Sequence, residues 1–304
     1  MSQVRRVTGA GDPAVPAAAW TKQYVWSQTA SRLKTRLTAA RAVALLLTIV
    51  CAVLATAAGQ LGSAMSAIAK GLAVAAAVAV GLAPLALRFA DSKAVQNWTR
   101  ARALSEALKT EIYTYLAGVG PYRGTGRDKQ LAERVETLSA NGADLLRYTT
   151  RAAPRRRDLP AVRDVSSYIE HRVRPQITWY RDKAKKLATR LAVVKGAGVG
   201  LAVLAVVLGA VSAEAGVGGA AAWLPPTATV AAAVAAYAAW ARYEYQLNAY
   251  LRTAESLESL LAHREAVGGS DTAADDDFVA RSERIVSDEN KEWVTEWAKP
   301  QAGA

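Results

Sequence analysis

The chain has 304 residues, of which 52% are hydrophobic and 21% are charged, and its formal net charge at pH 7 is +12. Cys51 is the single cysteine, which excludes a disulfide within the chain. The excess of Lys and Arg is concentrated beside the apolar segments described below. It therefore indicates a bilayer with anionic headgroups as the partner and argues against nucleic acid as the partner.

The first element is a hairpin of two apolar segments. Residues 1–19 lack the apolar core of a secretory signal and are expected to form a flexible N-terminus. The apolar runs cover Ala42 to Ala58 and Gly71 to Leu87. About 17 residues of helix extend roughly 26 Å, close to the hydrocarbon thickness of a bilayer. Neither run contains a charge, whereas the surface helix of a soluble bundle shows a polar face, so we predict two membrane spans.

Amphipathic helices follow the second span and complete a first unit at residues 20–150. "TRARALSEALKTEIYTYLAG" places Leu104 and Leu108 at helical spacing and stops at Gly118. The Gly-rich break "GVGPYRGTGRDK" lacks the Gly-Lys-Ser/Thr ending of a phosphate loop. Arg123 and Arg127 within it are nevertheless candidates for contact with a phosphorylated ligand.

The second half of the chain repeats the first. Residues 151–162 form a basic, Pro-containing linker, which has no aromatic pattern typical of nucleic acid binding and is expected to be solvated or to face lipid. A shift of 154 positions then places Leu33 on Leu187 without a gap. Two further apolar runs cover Gly196 to Ala213 and Leu224 to Ala241, so residues 163–266 are predicted to be a second two-span unit, produced by internal duplication.

The basic residues predict the orientation of both hairpins. They flank the outer ends of the spans, whereas the connection at residues 59–70 has Lys70 alone and the connection at 214–223 has no Lys or Arg. Cytoplasmic flanks of membrane helices collect Lys and Arg. We therefore expect a multi-pass protein of the cell membrane with both termini in the cytoplasm.

Polar side chains within the spans are candidates for the wall of a pore, since an aqueous pore usually needs one. These candidates are Thr48, Cys51, Thr56, Thr227, Thr229 and Tyr237. Small residues, Gly196 with Gly200 and Ala77 with Gly81, permit close contact between helices. We therefore expect a homo-oligomer.

The C-terminal region is predicted to be an acidic linker at residues 267–277 followed by an amphipathic helix at 278–299. Asp277 is the predicted N-cap of this helix. Its apolar stripe is expected to dock on the other cytoplasmic helices and contains Val279, Val286, Trp293 and Trp297, beside Phe278 and Ile285. No stretch shows strand periodicity, so the predicted fold class is all-α, with long cytoplasmic helices suited to coiled-coil contacts.

The sequence favours a protein without catalytic activity or a cofactor. His171 and His263 lie in separate segments without a neighbouring Cys, which is more typical of helix surfaces than of a metal site. No nucleophile elbow and no zinc-binding helix motif is present.

Three segments resemble the tandem two-span SLATT domains of bacterial membrane proteins of unknown function. They are "VSSYIEHRVRPQITWYRDKAKK", "TRARALSEALKTEIYTYLAG" and "FVARSERIVSDENKEWVTEWA", and the resemblance extends from Trp20 to Trp297. It places two sets of residues on family motifs: Tyr168, Arg172, Gln176, Trp179, Tyr180 and Lys183 in one, and Arg102, Ala103, Glu106, Leu108 and Lys109 in the other. Pro175 interrupts the first motif and predicts a kink or a helix boundary.

The resemblance implies a pore-forming or membrane-perturbing effector, found in some cases beside nucleotide-signalling systems. We therefore expect an oligomer whose cytoplasmic helices gate a pore. Two alternatives stay open. One is a membrane scaffold that recruits a cytoplasmic protein through the helix from Phe278 to Trp297, and the other is a ligand-gated sensor that uses the loop with Arg123 and Arg127.

Overall fold

The computed structural model of the protein describes most of the chain, namely residues 14–61, 66–155, 157–214, 218–267 and 271–298. Within these ranges the secondary structure is helical and no strand forms, so the predicted all-α class is confirmed. The helices are α1 (Ala14–Gln60), α2 (Ser66–Leu87), α3 (Ser92–Ala117), α4 (Arg127–Ala140), α5 (Leu146–Thr149), α6 (Val165–Tyr168), α7 (Arg174–Glu214), α8 (Gly218–Ala221), α9 (Leu224–Ala241), α10 (Tyr243–Val267) and α11 (Thr272–Ala298).

The chain divides into two compact units. One, here called the polar unit, contains the described residues up to Lys34, from Val95 to Asp182 and from Ala249 onward. The other, here called the apolar unit, contains the residues from Thr35 to Ala94 and from Lys183 to Asn248. Long helices pass from one unit into the other, because α1 and α7 each join a polar segment to an apolar one.

The apolar unit contains the four predicted spans. Four helical stretches are long and apolar enough to cross a membrane, and at most 17% of the most apolar window of each is buried within the chain. Apolar side chains left uncovered by the chain need a nonpolar solvent, which a bilayer supplies. The prediction of four spans is therefore confirmed, and the protein is a multi-pass membrane protein.

A cationic side chain joins three elements of the apolar unit. The Arg41 guanidinium on α1 lies over the indole of Trp240 on α9, 4.4 Å from the ring centroid. Its Nη2 atom also donates to the Ala90 carbonyl after α2, at 3.1 Å. A cation held on an aromatic face is stabilised by the ring quadrupole, so this contact helps to fix the helices at the end of the spans.

The second repeat has one residue fewer than the first at the end of its second span. In the first repeat a 3₁₀ turn at Arg88–Ala90 separates α2 from α3, whereas in the second a single left-handed residue, Arg242, separates α9 from α10. Beyond this break the buried positions correspond at a shift of 153 instead of 154. Ala101, Leu104 and Leu108 of α3 then align with Ala254, Leu257 and Leu261 of α10, all buried.

The polar unit has a core built from these helical stripes. Its largest side chains are each at most 2% exposed: Trp98, Leu108, Ile112, Tyr115, Tyr122, Leu131, Leu145, Tyr168, Tyr180 and Leu257. Full burial of such a side chain stabilises a fold by about 1.5–3 kcal/mol. The core therefore depends on α3, α4, α7 and α10 together.

Pro175 is accommodated by a change of helix type. A π-helical turn at Ile169–Val173 comes between α6 and α7. Proline has no N–H to donate and its ring crowds the carbonyl four residues earlier, which is that of His171. The wider π turn makes room for the His171 carbonyl, so the helix does not end there. The predicted kink or boundary is thus a π turn, and helical structure continues to Glu214.

One predicted domain bound at the N-terminal side needs correction, and one predicted linker makes a fixed contact with α1. Residues 14–19 are helical and not a flexible terminus, because α1 begins at Ala14 and buries Trp20. The predicted solvated linker at 151–162 is also anchored. The Trp20 indole donates to the Asp158 carbonyl at 3.1 Å, and the Arg157 guanidinium lies 4.7 Å from the same ring. Residues 1–13 of the predicted N-terminus lie outside the described residues.

The C-terminal helix begins earlier than the sequence predicts. Asp271 caps it, since its carboxylate accepts from the Ala274 N–H at 2.6 Å. Asp277, the predicted cap, instead lies inside α11 and pairs with Arg281 at 2.8 Å. Residues 272–277 are therefore helix and not linker, because an N-cap carboxylate satisfies the first N–H groups of the helix.

Gly142 is packed too closely to accept a side chain. A Cβ atom there would meet Leu104 Cδ1 at 2.5 Å and Trp26 Cη2 at 3.0 Å. We expect Gly142→Ala to lower the free energy of unfolding of the polar unit by about 1–3 kcal/mol, because Trp26 is buried and must shift. Chemical denaturation of the full-length protein would measure this loss. Gly124→Ala is the control, since no atom lies within 4 Å of its added Cβ.

Candidate ligand pocket in the polar unit

The polar unit contains a cavity of about 490 Å³, in which residues of both family motifs meet. Its walls come from α1, α3, the π turn with α7, and Val286 of α11. The predicted motif residues that line it are Arg102, Glu106 and Lys109 from one motif, and Arg172, Gln176, Trp179 and Tyr180 from the other. Two separate sequence motifs thus form one site.

Positive charge predominates on the cavity wall. Four Lys or Arg side chains line it, and Glu106 is the lining carboxylate. The cations are Lys34, Arg102, Lys109 and Arg172. Glu283 and Glu289 of α11 are not on the wall and are buried behind it.

A buried ion pair holds one of these cations in place. Arg172 and Glu283 are 4% and 5% exposed, and two parallel hydrogen bonds join them, Nε to Oε1 and Nη2 to Oε2, each 2.9 Å long. The Tyr168 hydroxyl also donates to Oε1 at 2.9 Å, and the Thr110 hydroxyl donates to Oε2 at 2.7 Å. All of these hydrogen bonds are accepted by an ionised carboxylate and are therefore charge-assisted. They make the ion pair strong and geometrically specific.

The environment of Glu283 favours its ionised form. Burial raises the pKa of this carboxyl, but the Arg172 guanidinium and the hydrogen bonds from Arg172, Thr110 and Tyr168 outweigh burial and hold the pKa below its usual value. The same carboxylate raises the pKa of Arg172 against the effect of burial. Both partners are therefore charged at neutral pH.

A second carboxylate of α11 is less well compensated. The Tyr180 hydroxyl donates to Glu289 Oε2 at 3.3 Å, and the nearest guanidinium nitrogen, Arg102 Nη2, is 3.9 Å away. The other oxygen, Oε1, is buried and makes no hydrogen bond within the described structure. Burial raises the pKa of Glu289 by more than Arg102 lowers it.

Lys109 is a cation of the wall whose pKa lies below its usual value. Its Nζ atom lies 3.7 Å from Glu106, one turn earlier on α3. Burial lowers the pKa of Lys109, and the neighbouring cations Arg172 and Arg102 lower it further, whereas Glu106 and Glu283 only partly oppose these effects. An added anion in the cavity would therefore be favourable.

Several residues of this site are not evident from sequence. Lys34, Trp98 and Tyr113 line the cavity but stand outside the predicted motifs. Glu283 gives a usable signal, because it interrupts the apolar stripe of α11 between Val279 and Val286, and all three are buried. A carboxylate on the buried face of a helix predicts a cationic partner elsewhere in the chain.

Four predicted motif residues do not line the cavity: Ala103, Leu108, Tyr168 and Lys183. Tyr168 is behind it and supports Glu283, and Lys183 belongs to the apolar unit. Of the two predicted histidines, His171 lines this cavity, whereas His263 lies in a shallow groove beside α11. The described residues contain no group of three His, Cys, Asp or Glu side chains placed to hold a metal ion.

The predicted ligand loop has a structural role. Arg123 pairs with Asp276 of α11 at 2.7 Å and donates to the Thr272 carbonyl at the same distance. Arg127 lies over the ring of Tyr115, 4.2 Å from the centroid. Within the described chain the two arginines contact α11 and α3, and their contact with a phosphorylated ligand stays a prediction.

The predicted pore residues differ in their surroundings. Thr48 is exposed, Cys51 and Thr56 are half-buried, and Thr227 is buried. The hydroxyls of Thr48, Thr227 and Thr229 each donate to the carbonyl four residues earlier in the same helix. Tyr237 instead packs against Trp240 and Tyr243. A pore wall formed by these side chains stays a prediction.

Taken together, the spans and the cavity define a class: a multi-pass helical membrane protein with a polar helical unit. Comparison with known families is more specific. Residues 168–293 match the family described as SMODS and SLOG-associating 2TM effector domain 1, or SLATT_1, and residues 24–130 match a family of proteins of unknown function, DUF4231. The region 168–293 is thus similar to a SLATT domain, in agreement with the predicted resemblance.

The two repeats match different families, so the predicted tandem of SLATT domains is supported directly in its second member. The family description assigns this region to membrane-associated effectors, and neither description names an enzyme. No curated protein and no solved structure matches the chain.

Proposed function

We propose that this protein is a non-enzymatic membrane effector, in which the spans of several copies associate to form a pore or lesion under the control of the polar unit. The observation that carries the proposal is the third span. The family is described as a two-span effector domain, so a second span is available to cover the third one. Even so, no residue in the most apolar window of the third span is buried within the chain.

The third span also has the residues needed for close contact with another helix. Gly196 and Gly200 are one turn apart on the same face of α7, and a Cβ atom at either would meet no atom within 4 Å. Paired small residues let helix backbones approach closely in a bilayer. A second copy of the chain is therefore the proposed occupant of this face.

The basic flanks of the spans support a cytoplasmic location for the polar unit and for both termini. In this orientation the cavity is open to cytoplasmic solutes, and the connections between the paired spans face outward. Control of the spans by the polar unit needs no separate linker, because α1 and α7 continue from one unit into the other.

The scaffold alternative has less support. Phe278 and Val279, the start of the predicted docking stripe, are 4% and 0% exposed within the chain itself. The described part of α11 thus packs on its own polar unit, as the sequence predicted, and does not offer this face to a partner.

The test is ion current across a planar bilayer that contains the purified full-length protein. We expect discrete conductance steps, and we expect the double variant Gly196→Leu, Gly200→Leu to abolish them, because two bulky side chains keep the helices apart. Gly209→Leu is the matched control. It makes the same change on the same span but on the opposite face, since nine residues turn a helix by about 180° relative to Gly200.

The outcomes separate the parts of the proposal. Conductance that survives the double variant would overturn assembly through this glycine face. Silence from inserted wild-type protein that crosslinks as an oligomer would overturn the pore itself. Loss of conductance in Gly209→Leu as well would show a general effect of span volume and would also count against the glycine face.

A further inference from the structure

We infer that the cavity of the polar unit binds a small, water-soluble anion that carries a flat aromatic ring, of the chemical class of an aryl phosphate. This inference concerns binding alone and does not depend on whether the spans conduct ions. Lysine side chains of the cavity would bind the negative charge, and aromatic side chains of the cavity would contact the ring.

The charge is supplied by lysines. Arg172 and Arg102 have carboxylates of α11 behind them, Glu283 at 2.9 Å and Glu289 at 3.9 Å. Within the described residues Lys109 forms an ion pair with Glu106 alone, at 3.7 Å, and its side chain is 25% exposed. Charge buried with incomplete compensation costs free energy, and an anionic ligand removes that cost.

A second lysine lines the same cavity. Lys34 on α1 is exposed, and its Nζ atom lies 5.5 Å from the centroid of the Trp98 ring. The two lysines come from different helices and both line the cavity. A phosphate group between them would gain two charge-assisted contacts.

The ring is accommodated by aromatic residues. Four of them line the cavity: Trp98, Tyr113, Trp179 and Tyr180. Trp179 leaves 40% of its surface exposed although it forms part of the wall. Apolar surface of this kind gains free energy when a flat ring covers it, and aromatic pairs add about 0.5–1.5 kcal/mol.

The size of the cavity fits a ligand larger than a bare anion. Small-molecule sites typically enclose about 300–1,000 Å³, and this cavity measures about 490 Å³. The mixture of a few charged groups with aromatic walls is also typical of such sites. A bare phosphate would leave the exposed part of Trp179 uncovered, so the ring is part of the inference.

Three probes test the two halves separately: 2-naphthyl phosphate, 2-naphthol and inorganic phosphate. Their binding is measured by isothermal titration calorimetry on the full-length protein in phosphatidylcholine nanodiscs, which carry no net anionic headgroup. We expect 2-naphthyl phosphate to bind at least about tenfold more tightly than either partial probe. Absence of saturable binding up to about 5 mM would overturn the inference.

Substitutions locate the binding within the cavity. Lys109→Gln is expected to weaken 2-naphthyl phosphate binding about tenfold and to leave 2-naphthol unchanged. Lys129→Gln is the control, because it removes the same charge from an 84% exposed side chain outside the cavity. Equal effects of the two variants would show bulk electrostatics only and would overturn the site.

Two further arms keep the test decisive. Lys34→Gln changes an exposed lysine and replaces Lys109→Gln if the latter lowers the thermal unfolding temperature of the protein. Nanodiscs that contain phosphatidylglycerol test a lipid source of the anion. Competition by this lipid that disappears in the lysine variant would assign the cavity to a lipid headgroup and overturn the soluble ligand, whereas unchanged affinity supports it.

Discussion

Arg172→Met is expected to lower the free energy of unfolding of the polar unit by about 3–5 kcal/mol. The substitution keeps much of the side-chain volume but leaves the Glu283 carboxylate buried, 5% exposed, without its cation. The Tyr168 and Thr110 hydroxyls that remain supply hydrogen bonds but no charge. Removal of one partner from a buried pair costs far more than the pair contributes in net terms, because the remaining charge is not solvated.

Thermal unfolding of the full-length protein in nanodiscs measures this loss. A unit of this size loses about 2–4 °C of Tm per kcal/mol, so a fall of roughly 6–20 °C is expected. Arg174→Met, two residues further along the chain at the start of α7, is the matched control. Its guanidinium pairs with Glu170 at 3.0 Å and Glu265 at 3.1 Å but is 51% exposed, and such surface pairs contribute about 0–1 kcal/mol. Similar losses in both variants would contradict the assignment.

The loss in Arg172→Met should depend on pH in a defined direction. In the wild type the pKa of Glu283 lies below its usual value, so the pair's contribution is present above the unfolded pKa of about 4.3 and is lost as the pH falls through the lower folded pKa. In the variant, burial raises the pKa of the same carboxyl. The carboxyl then takes up a proton on folding, and the stability difference from wild type shrinks as the pH is lowered from about 8 to 5.

A second substitution identifies the source of the cost. In the double variant Arg172→Met, Glu283→Leu, no charge is left buried at this position. We expect most of the lost stability to return, since apolar replacement of a whole buried pair is often neutral. A double variant as unstable as the single one would show that packing around Arg172, and not the buried carboxylate, carries the effect.

The sequence predicts the spans well because membrane insertion depends on local composition. A run such as Gly71 to Leu87 needs no knowledge of its neighbours to be recognised as apolar throughout. The docking stripe of α11 is predicted for the same reason, since Val279 and Val286 recur at helical spacing. Both features are periodic properties of one segment.

Contacts between distant segments are not encoded in this local way. Arg172 and Glu283 are separated by 111 positions, and although Glu283 interrupts an apolar stripe, nothing near it in the sequence identifies Arg172 as its partner. The cavity depends on side chains of several helices, so the sequence supplies its motif residues without showing that they meet. The prediction of the α11 cap was wrong for a simpler reason: Asp271 and Asp277 are both good N-caps, and it is the Asp271 carboxylate that accepts from the Ala274 N–H.

The duplicated core leads to the last prediction. Leu108→Ala and Leu261→Ala are each expected to lower the free energy of unfolding of the polar unit by about 2–5 kcal/mol, because each truncation leaves a cavity in a close-packed core. The two leucines are 0% and 6% exposed and occupy corresponding positions of α3 and α10 at the shift of 153. Corresponding positions in one shared core should therefore give losses of similar size.

Denaturant unfolding of the two variants and a control tests this equivalence. Leu251→Ala removes the same atoms from α10 at a side chain that is 45% exposed, and its effect should stay within about 0.5 kcal/mol. If Leu108→Ala unfolds the unit while Leu261→Ala resembles this control, the second repeat adds little to the core. Losses in both, with a single cooperative transition, would mean that the two repeats fold as one structure, as their shared burial pattern requires.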